Sequence, residues 1–191
     1  MSPGGGPGDR DRDHRPALRP GYLVVQEGDD GGYVGGLMVT DGEGLPRDFR
    51  YTDPITPTRL QRVLYGGALD RHLRADVVAG TLLAALEERP TVLLVEDETL
   101  LAVDAACPVA LVDLSRAPAL GPVGTVRPEA DGRRLVQVEE GSHPLRVTPA
   151  DPARADETVA ALVALGEAMD PLEPAERVRA ALGLIATGAV A

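Results

Sequence analysis

The sequence predicts an α/β fold: a three-stranded antiparallel meander followed by helices and a βαβ unit, with a helical pair at the C-terminal end. Three observations predict it. Residues 21–54 alternate short apolar runs with Gly-rich turns. Residues 56–88 carry leucines and valines at helical spacing, and two later apolar runs, TVLLVED and PVALVDLS, flank a short connection.

GYLVVQE (21–27) reads as the first strand, and GDDGG (28–32) supplies turn residues that tolerate positive φ. YVGGLMVTD (33–41) is the second strand, and its glycine pair marks a bulge or a place where another backbone lies close. After GEGLP, DFRYTDP (48–54) is the third, with Phe49 and Tyr51 on one face by the two-residue period. All five aromatic residues of the chain fall between Tyr22 and Tyr65. Aromatic side chains bury the most area per residue, so the best-defined packing is expected there.

Thr56 and Pro57 suit an N-cap and first helical residue. The helix TRLQRVLY then carries Leu60, Val63 and Leu64 inward and Arg59 and Arg62 outward, and Gly66 and Gly67 can end it. A second helix over 68–88 has Leu69, Leu73, Val77, Leu82 and Leu86 as its apolar positions, with Pro90 closing it. TVLLVED (91–97) and PVALVDLS (108–115) read as buried parallel strands joined by a short helix over 98–106, because parallel neighbours need a crossover. RRLVQVEE (133–140) and PLRVTP form a further strand pair, and helices over 155–169 and 173–186 end the chain. The expected division is a disordered tail (1–20), an α/β domain (21–150) and a C-terminal helical extension packed on it (151–191).

Composition narrows the chemistry. At 191 residues with 43% hydrophobic and 26% charged, the chain can bury a real core. No apolar run reaches the length a membrane span requires, and the N-terminus has no signal-peptide core, so a cytoplasmic location is expected. All 19 basic residues are arginine, a pattern that fits GC-rich coding better than phosphate recognition. The tail holds four Arg and three Asp, contributing +1 to the net charge of -11, so the remainder carries -12. An acidic body opposes general attraction to nucleic acid, which is therefore expected to be an unlikely partner.

The absence of lysine excludes a Walker-type phosphate loop, a pyridoxal Schiff base and a Ser-Lys hydrolase. GGYVGG lacks dinucleotide-binding spacing and enters a strand. Ser2, Ser115 and Ser142 are the only serines, and none sits in a nucleophile elbow. Cys107 is alone and reads as a small buried hydrophobe. His14, His72 and His143 lack metal-ligand spacing. Arg59 and Arg62, three apart on one helix face, can grip an anionic ligand beside Tyr51 and Tyr65.

The element order of residues 21–115 resembles the ribonuclease H-like topology. In that family, nucleases hold divalent metals with clustered carboxylates, one of them on the first strand. The resemblance implies Glu27, Asp97 and Asp113 as the matching carboxylates, with Mg or Mn as cofactor; Asp is missing from YLVVQE, where the family would place one. GGLMVTDGEGLPRDFRYTDPITPTRLQRVLYG and MDPLEPAERVRAAL also resemble segments of uncharacterised bacterial proteins, which carry no activity across. With the usual catalytic parts subtracted, the expected function is a non-enzymatic protein-interaction or assembly module. Its expected partner is another protein or a second copy, and no cofactor is expected. The alternatives are a metal-dependent ribonuclease H-like nuclease and an anionic small-ligand sensor.

Overall fold

The computed structural model describes residues 17–28 and 31–186, so residues 1–16 of the expected tail lie outside it. Eight strands form: β1 Pro20–Glu27, β2 Tyr33–Thr40, β3 Pro46–Tyr51, β4 Val92–Val95, β5 Val109–Leu114, β6 Val126–Pro128, β7 Arg134–Val136 and β8 Leu145–Pro149. They make one mixed sheet in the order β3-β2-β1-β4-β5-β8-β7-β6. The meander is antiparallel, β1 and β4 run parallel, and so do β4 and β5. The α/β fold with its meander, βαβ unit and C-terminal helical pair is therefore observed. Strand β6, too short and polar to read from the sequence, is an addition.

β1 and β4 lie inside the sheet with both faces covered, which is why their sequences are continuous apolar runs. Period two sends Leu23, Val25, Leu93 and Val95 to one face and Tyr22, Val24, Val92 and Leu94 to the other. The first face is covered by a helical segment of mixed pitch: α2 Leu69–Arg71, a π-helix His72–Ala79 and α3 Gly80–Ala85. The opposite face is covered by α4 Ala155–Gly166 and α5 Glu173–Ala186 through Leu162, Val178 and Leu182.

The glycine pair of β2 is explained by both layers at once. A Cβ on Gly35 would stand 2.3 Å from Val78 Cγ1 of the π-helix. A Cβ on Gly36 would stand 2.8 Å from Val178 Cγ1 of α5. The close neighbours are helix side chains pressed onto the strand from either side.

Helix α1 spans Arg59–Tyr65 and departs from expectation twice. Its N-cap is Thr58: the Thr58 Oγ1 accepts from Gln61 N at 3.2 Å, and Gln61 Oε1 accepts from Thr58 N at 2.8 Å. This reciprocal capping box satisfies two end donors and sets the N-cap at Thr58, two residues after the expected Thr56. The expected inward face is also wrong. Leu60, Val63 and Leu64 are 66%, 76% and 70% exposed, because the longer 69–85 segment takes the sheet face and leaves this short helix outside it. The segment expected as a short helix over 98–106 is a 3₁₀ turn at Glu98–Ala102. No helix among the described residues is long and apolar enough to cross a membrane.

Candidate functional site

Because β1 and β4 are parallel, with Leu23 level with Val95, both strands end at the same edge of the sheet. The next residues of β1's helix-covered face are Val25 and Glu27, and Asp97 follows β4. Arg74 reaches this edge from the π-helix. Its Nε donates to Asp70 Oδ1 at 2.8 Å and its Nη1 donates to the Val25 carbonyl at 2.9 Å. The same Nη1 stands 3.4 Å from Asp97 Oδ2. Two carboxylates and one carbonyl thus ring a single guanidinium whose side chain is only 14% exposed.

Tyr33 completes the cluster. Its hydroxyl donates to Asp70 Oδ1 at 3.1 Å, and the Arg74 guanidinium carbon lies 5.4 Å from its ring centroid, within cation–π range. Burial by itself would lower the Arg74 pKa, but the hydrogen bond to Asp70 and the charges of Asp70 and Asp97 outweigh it and the net shift is upward. Burial, reinforced by the bond to Asp70, pushes the Tyr33 phenol up. Both groups are therefore fixed in their ordinary neutral-pH states, cationic arginine and neutral phenol.

Asp97 is committed on both oxygens. Oδ1 caps the 3₁₀ turn, accepting from Thr99 N at 2.7 Å and Thr99 Oγ1 at 2.6 Å, while Oδ2 faces Arg74. Its neighbour Glu96 points to the opposite layer, where Arg179 of α5 holds both carboxylate oxygens at 2.5–3.1 Å. Consecutive carboxylates after β4 are thus each clamped by an arginine, one from either face of the sheet.

Of the carboxylates expected to converge, Glu27 and Asp97 end neighbouring strands. Asp113 is engaged elsewhere, 3.8 Å from Arg146 of β8, which itself donates to Glu129 at 2.9 Å. Among the described residues, no group of three or more His, Cys, Asp or Glu is placed to hold a metal ion. Arg62 comes to the rim of the cluster: a Cβ on Gly31 would lie 3.3 Å from Arg62 Nη2 and 4.0 Å from Glu27 Oε1. Arg59 is exposed on the same short helix. Tyr65 stacks on His72 with centroids 4.4 Å apart, tying α1 to the π-helix. Tyr51 lies on edge strand β3, where it stacks on Phe49 at 6.1 Å.

Among the described residues, the remaining reactive groups form no catalytic set. Ser142 Oγ donates to the Glu139 carbonyl at 3.1 Å, and His143 Nδ1 is 2.8 Å from the Ala117 carbonyl. Burial pushes the Cys107 thiol up, away from the thiolate a nucleophile needs. The residue that sequence reading missed is Arg74 as a centre. The Asp70/Arg74 spacing of four on a helix was its available signal; Val25 and Asp97 join it only through the fold.

No protein-family model and no curated protein matches the chain. Solved structures do resemble it. Endonuclease V from Streptomyces avermitilis is 19% identical, over 92% of this chain and 84% of that one, with a TM-score of 0.64. Human ENDOV is 15% identical over 92% of this chain and 87% of its own, with a TM-score of 0.51. Ciona intestinalis endonuclease V, bound to a 24mer DNA containing an inosine followed by a ribo-adenosine, is 14% identical over 88% of this chain and 87% of its own, with a TM-score of 0.50.

These likenesses correct three expectations. The expectation of a non-enzymatic protein-binding module is not supported, and its nuclease alternative is favoured over it, because the solved structures named above, matched across most of their length, are endonucleases. Nucleic acid as an unlikely partner gives way as well, since the Ciona protein is seen on DNA; net charge says little about a local binding edge. The expectation of no cofactor falls with the module, and Mg or Mn becomes the cofactor to test. At identities this low the likeness establishes the α/β fold, consistent with a ribonuclease H-like arrangement, and it leaves the chemistry to the residues present.

Proposed function

We propose that this chain is a nucleic-acid-directed nuclease of endonuclease V-like architecture, acting in the cytoplasm, with substrate drawn across the edge where β1 and β4 end. The observation that carries the reading is the fold, matched over 92% of the chain to an endonuclease V. Local support comes from Asp70 and Asp97 meeting at Arg74 on that edge, where Glu27 also ends β1, and from Arg62 and Arg59 beside it. Exposed guanidiniums suit phosphate oxygens, which they bind in pairs. Tyr65, 40% exposed and stacked on His72, offers a ring beside them.

A divalent metal would supply phosphate activation in such an enzyme. The residues present do not fit one as they stand: Asp97 has both oxygens engaged, Asp113 pairs with Arg146, and the centre of the carboxylate cluster is an arginine. No reaction step through a metal follows from this arrangement.

The test is a labelled oligonucleotide, single- and double-stranded, with and without one deoxyinosine. Binding is read by fluorescence anisotropy at low salt and scission on denaturing gels with Mg or Mn. Saturable binding with strand scission supports the reading. No binding and no scission of any of the four substrates removes it.

A further inference from the structure

The Arg74 guanidinium lies where three oxygens from different parts of the chain converge: Asp70 Oδ1, Asp97 Oδ2 and the Val25 carbonyl. An oxygen set with two full negative charges is the kind that hard divalent cations use, at about 2.0–2.6 Å. Here a side chain of the protein supplies the positive charge. Arg74 is held there by more than these ion pairs, since it also lies over the Tyr33 ring and is largely buried. It rises from a π-helical turn of eight residues, a rare form that recurs at functional sites.

We propose that Arg74 is a built-in cation that closes this centre, so that its guanidinium and a divalent metal are mutually exclusive occupants of the Asp70–Asp97–Val25 oxygen set. The inference rests on the nuclease reading only for its biological meaning; the competition is a property of these residues. A site open in a small fraction of molecules has its apparent affinity lowered by that fraction. Closure in more than about nine molecules in ten therefore weakens divalent binding about tenfold or more. Removing the arginine charge restores the oxygens to a metal.

The Arg74–Asp70 and Arg74–Asp97 contacts have a useful counterpart in Arg179, which clamps Glu96 from the other face. Losing either arginine frees a carboxylate, but only Arg74 leaves the ring of three oxygens.

The experiment titrates Mn²⁺ alone into the full chain, followed by electron paramagnetic resonance of free Mn²⁺ and by thermal shift. It compares the unaltered protein, Arg74→Gln and Arg179→Gln. The expected result is one Mn²⁺ bound by Arg74→Gln about tenfold or more tighter than by the other two, with a matching rise in melting temperature. Equal binding by all three proteins, or gain in Arg179→Gln as large as in Arg74→Gln, overturns the proposal, and so does an Arg74→Gln protein that folds and binds no Mn²⁺. Should Arg74→Gln not fold, the unaltered chain decides against Asp97→Asn: Mn²⁺ bound tightly by the former and lost in the latter overturns closure, whereas weak, equal binding by both supports it. Oligonucleotide binding and scission are read separately. Their failure alongside a gain of Mn²⁺ binding would sink the nuclease reading and leave Arg74 closure standing.

Discussion

Arg74 and Asp97 meet with Nη1 and Oδ2 3.4 Å apart, joining the helix layer to the end of β4 at the edge where β1 also stops. The contact connects residues 23 positions apart in sequence and pairs opposite charges at that edge. Arg74 is also hydrogen-bonded to Asp70 and to the β1 backbone. Replacement by alanine leaves two carboxylates facing one another with no cation. Loss of hydrogen bonds to a charged, largely buried group is expected to lower stability by about 2–3 kcal/mol. Arg179→Ala, at a pair 45% and 29% exposed, is expected to lose at most ~1 kcal/mol. Urea unfolding of the two variants checks the ranking.

The glycine pair in β2 gives a steric prediction. Gly35→Ala drives a methyl to 2.3 Å from Val78, and a tightly packed core loses about 1–3 kcal/mol to such overpacking. Gly80→Ala, in α3 with nothing within 4 Å of its would-be Cβ, is expected to stabilise by about 0.5–1 kcal/mol. Thermal melts of both variants should move in opposite directions.

Asp48 predicts an acid-sensitive join. Its carboxylate, 7% exposed, accepts from Glu87 N at 2.8 Å, from Glu88 N at 3.3 Å and from Arg50 Nε at 2.8 Å. Burial works to raise its pKa, but the two backbone bonds and Arg50 outweigh it and hold it below the usual carboxylate value. A group with a depressed folded pKa stabilises above its unfolded pKa and loses that stabilisation as pH falls through the folded value. The protein should therefore lose stability as pH falls out of the ordinary carboxylate range and on through the lower pKa that Asp48 has in the fold. Asp48→Ala should flatten part of that loss while costing about 1–2 kcal/mol at pH 7. Urea midpoints at pH 3 and pH 7 measure both effects.

Arg59 and Arg62 give the functional counterpart. Double replacement by alanine should weaken oligonucleotide binding and reduce the slope of log affinity against log salt by about one for each phosphate contact removed. It should leave the melting temperature unchanged, since α1 buries none of its residues. Anisotropy titrations at several salt concentrations read the slope.

The first five strands were legible because each carries its own local signal. β1 and β4 are continuous apolar runs, the β1–β2 and β2–β3 turns are Gly-rich, and a parallel β4–β5 pair requires its crossover. The outward apolar face of α1 was not legible: Leu60, Val63 and Leu64 have helical spacing whichever element finally occupies the sheet. The Arg74 centre was hidden for a related reason. Periodicity assigns Asp70 and Arg74 to one helix face, but only the packed helix brings them to Val25 and Asp97. Glu27 and Asp97 were named from the resemblance to ribonuclease H-like order and lie at the ends of neighbouring strands, whereas the Asp113–Arg146 pairing depends on β8 lying beside β5.

The proposed nuclease function places nucleic acid across the β1–β4 edge. The most direct measurement is anisotropy of a labelled deoxyinosine-containing strand titrated with the full chain at low salt, with the same samples run on a denaturing gel after adding Mn²⁺. Saturable binding that weakens with salt and in Arg59→Ala/Arg62→Ala is expected, with scission that stays weak while Arg74 closes the Asp70–Asp97–Val25 oxygens. Absence of binding and of scission, in protein shown to be folded, would contradict it.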